Sequence, residues 1–209
     1  MARHHQFHVE GLFNVYGNET FDPNGRQDVI YHSTVLSNTI STGILQETSV
    51  ITIPPPSHDN FRVENGIHIL AGSLIDNGIQ QAYLFCQQWD SLVNETIHMS
   101  SENLVNVVQV IGAGWIVSVE TNGPVFKIAT SLVIRHRAYN SEVYNYTTFE
   151  VEYEFKTILA EQLGADNSFI GTEITIRGQM LGRNPLSGRW IVLNMHLYKQ
   201  ATEYSILEQ

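Results

Sequence analysis

The feature that most constrains this chain is a period-two alternation of apolar and polar residues, broken at intervals by turn-forming pairs. In Phe149-Glu150-Val151-Glu152-Tyr153-Glu154-Phe155 the apolar side chains share one face and three carboxylates the other, the pattern of a strand covered on one side only. Residues 126–134 alternate with small or apolar residues on both faces, as expected of a strand covered more completely. Turn chemistry joins such strands into three hairpins. Asp76-Asn77-Gly78 separates 67–75 from 79–89, and Asn122-Gly123 separates 115–120 from 125–134. Asn184-Pro185-Leu186-Ser187-Gly188 divides 173–181 from 189–199. Asn-Gly supplies the positive φ that a tight hairpin needs.

Laid out in order, the elements repeat. The first half reads strand 7–16, turn 17–26, strands 28–36 and 44–53, a linker, strand 67–75, a turn and strand 79–89. The second reads strand 107–120, a turn, strands 125–136 and 146–156, a linker, strand 173–181, a turn and strand 189–199. Phe7-x-Val9-x-Gly11, Val108-x-Val110-x-Gly112 and Ile174-x-Ile176-x-Gly178 share one local pattern, with Ile67-x-Ile69-x-x-Gly72 close to it. Glycine inside a strand marks a bulge, a coil or a close backbone approach, so these positions predict the bends of a closed or strongly curled sheet. Helix is expected only at 157–163, ending at Gly164, and as one turn at 101–106. Pro54-Pro55-Pro56 begins a stiff surface loop. The expected fold is therefore all-β: about ten antiparallel strands in a barrel or two-sheet sandwich. Residues 1–100 and 101–209 form its two pseudo-repeated five-strand halves, as two units or one joint domain.

The second half, three strands, a short helix and two strands, also resembles the β-β-β-α-β-β order of the OB-fold, and the two halves would then be a tandem pair. The resemblance is one of element order, carries no diagnostic motif, and in the first half the proline loop replaces the helix. It implies a positive groove for single-stranded nucleic acid. The composition opposes this, because Lys+Arg 11 against Asp+Glu 21 gives a formal charge of -10. A chain so acidic repels phosphate unless its cations cluster, and the nearest cluster is Arg135-His136-Arg137. Nucleic acid is accordingly an unexpected partner.

Cys86 is the only cysteine, so no intrachain disulfide forms. The N-terminal residues lack an apolar signal region and no stretch has the length of a membrane span, which makes the cytosol the expected address. The three N-x-T sequons, at Asn18, Asn94 and Asn145, are then chance matches.

No catalytic constellation emerges. The nine histidines lack H-x-H or H-E-x-x-H spacing, so no metal site is expected, and His32, His68, His98, His136 and His196 read mostly as hydrogen-bonded strand residues. Asp22-Pro23-Asn24-Gly25-Arg26-Gln27-Asp28 looks like a calcium loop but has Ser33 where the loop needs glutamate, and a plain turn explains it. Cys86 reads as a buried, inert thiol. Glu150, Glu152 and Glu154 read as a solubilising strand face.

Aromatic residues carry the remaining signal, since their rings could line a cavity or stack on sugars or bases. The Tyr/Ser/Asn-rich segment 139–146, between two strands, resembles an adaptable recognition loop, and Tyr139, Tyr144, Tyr146 and Trp115 are the candidate ligand contacts. The leading expectation is a non-catalytic, cofactor-free binding or self-associating protein that recognises a small ligand, a glycan or a protein partner. A small barrel enzyme with an enclosed acid/base pocket is the alternative. A tandem OB-like nucleic-acid binder or a capsid-like protein is the further one.

Overall fold

The computed structural model describes residues 7–21, 28–38, 45–55, 65–77, 81–91, 107–122, 128–140, 145–155 and 169–199 of the chain. Ten strands are formed: β1 (Phe7–Phe21), β2 (Asp28–Asn38), β3 (Leu45–Ile53), β4 (Gly66–Asp76), β5 (Ala82–Ser91), β6 (Gln109–Asn122), β7 (Ile128–Asn140), β8 (Asn145–Phe155), β9 (Glu173–Arg183) and β10 (Trp190–Lys199). The described residues contain no α-helix, and no helix among them is long and apolar enough to cross a membrane. The expected helical turns at 101–106 and 157–163 and the 22–27 turn lie outside the described residues.

The strands close two rings. In the first, β1 pairs with β2, β2 with β3, β3 with β5, β5 with β4 and β4 with β1; the second repeats this through β6–β10. All pairings are antiparallel except β3–β5 and β8–β10. Each ring is a closed five-stranded barrel with the Greek-key connectivity of the OB-fold. A single barrel shared by all ten strands is therefore not formed. The rings join where Phe7–Glu10 of β1 pair with Gln109–Gly112 of β6, making one continuous sheet.

The registers show how closely the halves correspond. Val15 lies opposite Ser33 as Ile116 lies opposite Ile134, and Asn38 faces Leu45 as Tyr139 faces Tyr146. Gly72 pairs with Cys86 and Ala71 with Gln88, so Gln87 is left over in a bulge. Gly178 pairs with Asn194 and Arg177 with His196, leaving Met195 over in the same place. At both glycines an added Cβ would strike the backbone carbonyl of the partner strand, Phe85 in one half and Leu193 in the other. These two glycines thus mark a close backbone approach beside a bulge in each barrel.

β1 runs to Phe21, past its expected end at residue 16. Gly17, with φ of 72°, absorbs a register shift between Val15 and Asn18 and lets pairing with β2 continue. The first ring is filled by Phe13, Val15, Tyr31, Val35, Leu70, Leu74, Leu84 and Trp89, and the second by Ile116, Leu132, Ile134, Val151, Tyr153, Ile176, Trp190 and Val192. Phe7 belongs to the first half by sequence but packs on His136 and Phe149 of the second, with ring centroids 5.1 and 5.7 Å away. Gly112 makes room, since a Cβ there would lie 3.1 Å from the Phe7 ring and 2.6 Å from the Tyr153 hydroxyl.

Replacing Gly178 by Ala forces a methyl group onto the Leu193 carbonyl and is expected to cost about 2–3 kcal/mol, as overpacking does. Gly188→Ala meets open space and strains only a φ of 70°, so about 1 kcal/mol is expected there. Urea denaturation of the two variants checks the order; equal losses would contradict it.

Candidate functional site

The outer face of β2 and β3 in the first half turns toward the second half, where both strands touch β9. Thr34, directed outward in register with Ser49, is only 2% exposed as a result. Although β8 touches β4 of the first half, Arg135, Tyr139, Tyr146 and Thr148 stay exposed on the corresponding β7–β8 face of the second half. Between them lies a groove of about 820 Å³. One wall is Glu47, Thr48 and Ser49 of β3 with Asp76 at the end of β4. The other is Arg135, Thr148 and Glu150 of β7–β8 with the β9–β10 turn, residues 183–189.

That turn is built by its own sequence. The Asn184 side-chain oxygen accepts from the backbone N–H groups of Leu186 and Ser187, and Gly188 takes the left-handed conformation that closes the loop. Its two flanking arginines are thereby set on the groove. Arg183 Nη1 donates to Asp76 Oδ2 at 2.9 Å and to the Gly188 carbonyl at 2.8 Å, and its guanidinium lies 4.5 Å from the Trp190 ring centroid. Both partners of this ion pair are nearly buried, so it ties the first half to the second by a contact whose loss is costly. Arg189 reaches Glu150 Oε2 through Nη2 at 2.7 Å and Nε at 3.1 Å, while Arg135 Nη2 donates to Oε1 at 2.9 Å.

Glu150 is therefore shared by two guanidinium groups. Partial burial raises its pKa, but the hydrogen bonds and charges of Arg135 and Arg189 outweigh that and hold it below the usual glutamate value. Glu154 is shifted up instead, by burial and then by the charge of Glu152. Glu152 accepts from Asn184 Nδ2 at 3.0 Å. Two of the three glutamates expected as a solubilising face thus hold the groove's arginines and turn in place, Glu150 the arginines and Glu152 the turn.

Beyond Arg135, the β7–β8 face continues to an aromatic end. Successive outward residues of β7 are Arg135, Arg137 and Tyr139, opposite Glu150, Thr148 and Tyr146 of β8. Tyr139 and Tyr146 are 45% and 38% exposed and meet edge to face at 5.4 Å, and the Arg137 guanidinium sits 4.3 Å above the Tyr146 ring. Two of the four expected contact residues are thus adjacent. Trp115 is in register with Arg135 on β6, farther along the same face, and Tyr144 lies outside the described residues. The half-one positions matching Tyr139, Tyr146, Arg135 and Arg137 hold Asn38, Leu45, Thr34 and Leu36, so the aromatic and cationic groups belong to the second half alone.

The other candidates have structural surroundings. His136 is buried: its Nδ1 donates to the Ala113 carbonyl at 2.8 Å and its Nε2 lies in hydrogen-bonding distance of the Tyr153 hydroxyl at 3.0 Å. Burial raises the Tyr153 pKa far above that of a free phenol. His68 Nδ1 accepts from Trp89 Nε1 at 3.2 Å in the other core. Cys86 is buried and its thiol is pushed far up by desolvation, so it is not a nucleophile. Sequence reading missed Arg183, Arg189 and Asp76; only the Arg135-x-Arg137-x-Tyr139 alternation could have pointed to the site.

No family model and no curated protein matches the chain. A solved structure does: the wild-type single-stranded DNA binding protein from Thermus aquaticus, with a TM-score of 0.54 and 15% identity over 94% of either chain. At that identity the likeness is one of fold, and it spans both halves. It overturns the leading expectation of a small-ligand, glycan or protein binder, and with it the view that nucleic acid is an unexpected partner. That expectation weighed the net charge of the whole chain, whereas three of its eleven cations, Arg135, Arg183 and Arg189, line the groove beside Glu150 and Asp76, and Arg137 follows Arg135 along β7.

In a carboxyl-detected NMR titration, Glu154 should protonate first as pH falls and Glu150 later. The stabilisation from the Glu150 bridges is present above its unfolded pKa and lost as pH falls through its lowered folded pKa. For Glu154, whose pKa is raised, folding becomes more favourable as pH falls through the folded value. The reverse order of titration would refute this electrostatic account. Asp76→Ala, which strands the buried Arg183, should cost about 3–5 kcal/mol in the same denaturation assay.

Proposed function

We propose that this protein is a non-catalytic binder of single-stranded nucleic acid that uses the β7–β8 face and the adjoining groove of its second half. The observation that carries the proposal is the exposed Tyr139–Tyr146 pair with Arg137 above it, on the same strands as Arg135 and farther along them from the groove that Arg135, Arg183 and Arg189 line. In an OB barrel the face of the second and third strands, with the loops beside it, is where oligonucleotides lie. Here those strands are β7 and β8, and the β9–β10 turn is the adjoining loop. Aromatic faces stack on bases of any sequence, while guanidiniums meet the backbone. The similarity of fold to a single-stranded DNA binding protein supports the same reading.

The site favours an unpaired strand over a duplex, because stacking on Tyr139 or Tyr146 requires a base face that a duplex keeps covered. We take residues 1–100 and 101–209 as the two structural units, the first supplying a wall of the groove and the second its aromatic and cationic groups. A single buried thiol suits the reducing cytosol, the address we assign to it.

Fluorescence anisotropy with a labelled oligothymidylate and with a matched duplex tests the proposal. Saturable binding is expected for the single strand and much weaker binding for the duplex. Replacing Tyr139 and Tyr146 together by Ala should weaken single-strand binding by about 10- to 100-fold, the loss of one or two stacked bases, with unchanged stability. No saturable binding, or equal binding of the duplex, would overturn the proposal.

A further inference from the structure

The first half cannot offer a strand the surface that the second half offers, because its β2–β3 face lies against β9 and holds neither of the tyrosines nor the arginines. A second aromatic feature lies on the neighbouring facet, where β1 and β2 pair. Tyr16, 42% exposed, lies stacked with His32, their rings inclined by 29° with centroids 6.3 Å apart. The imidazole Nε2 is 3.1 Å from the Glu19 carboxylate, which steadies the ring from its far edge.

The backbone sets this arrangement. Val15 points into the core, and strict alternation places Tyr16 outward. At the next residue Gly17 enters the left-handed region, and its N–H is held by Asn65 Oδ1 at 2.9 Å. The resulting register shift lies between Val15 and Asn18, so Tyr16 stands at the bulge beside His32 instead of being paired away along the ladder. Bulges of this kind re-aim side chains at functional surfaces. The matching segment of the second half, after Ile116, also slips register, between Ile116 and Ser118, but has Val117 in place of the tyrosine and Val133 in place of His32. The two halves have exchanged roles: each keeps one aromatic facet, and they are different facets.

Resting on the function proposed above, we infer that Tyr16 and His32 form a second base-stacking platform, which takes a base of the same single strand after it leaves the Tyr139–Tyr146 end of the second half. The exposed phenol face supplies the stacking surface and the imidazole backs it. The occupant is an unpaired nucleobase and not the phosphate, because Glu19 at 67% side-chain exposure repels anions beside this pair.

Strand length separates the two platforms. Oligothymidylates of about 8 nucleotides should be held by one barrel and those of about 30 should reach both, given the 4–16 nucleotides an OB-fold covers. By anisotropy, Tyr16→Ala should leave the shorter probe's affinity unchanged and weaken the longer probe's by at least about fivefold, one lost stack. Tyr16→Phe, which keeps the ring, should restore it. Equal affinity of wild type and Tyr16→Ala for the long probe would overturn the second platform while leaving the first intact. Equal loss on both probes would also overturn it, by placing Tyr16 in the primary site. If wild type binds neither probe, the function proposed above is what fails. Circular dichroism and urea denaturation of Tyr16→Ala confirm that the folded protein is being compared.

Discussion

Backbone hydrogen bonding between Phe7–Glu10 and Gln109–Gly112 is the contact on which the rest of this molecule depends. Three of those residues of β1, His8, Val9 and Glu10, pair on both sides, with β4 in their own ring and with β6 in the other, while Phe7 pairs with β6 and fills part of the second core. Once that ladder is made, the two barrels have one relative placement. The β2–β3 face of the first then meets β9, and Asp76 comes within hydrogen-bonding distance of Arg183. The groove is a product of the joint. Its polar wall from β3 would face open water if the first barrel stood alone.

Much of the fold was legible. Period-two alternation and turn chemistry located all ten strands, since a half-buried strand writes its pleat directly into the residue order. The apolar-x-apolar-x-Gly pattern proved to be informative at Gly72 and Gly178, where the same bulge recurs against the same strand. Ring closure was harder to see, because a closed barrel and an open sandwich place the same demands on any one strand. The extension of β1 to Phe21 was missed because Gly17 reads as a turn residue, whereas here it absorbs a bulge and the strand continues.

The site was half legible. Tyr139 and Tyr146 announced themselves as aromatics near a strand end, and their pairing follows from the β7–β8 register. Arg189 comes to the groove from 39 residues beyond Glu150 and Arg183 from far beyond Asp76, and nothing local to either marks it as a partner of those carboxylates. Net charge misled for a related reason. It sums over every surface of the molecule and says nothing of how charge is placed on one of them, where Arg135, Arg137, Arg183 and Arg189 stand beside Glu150 and Asp76.

The sharing of Glu150 by Arg135 and Arg189 has a thermodynamic consequence. In the unoccupied protein these two cations are already neutralised from within, so a phosphate arriving there would displace a carboxylate as well as water. The freed glutamate would then attract small cations from solution, offsetting part of the counterion release that ordinarily drives polyelectrolyte association. Affinity would fall with ionic strength less steeply than the number of arginines in the groove suggests. An acidic protein built in this way would hold its strand more by ring contact than by ion exchange.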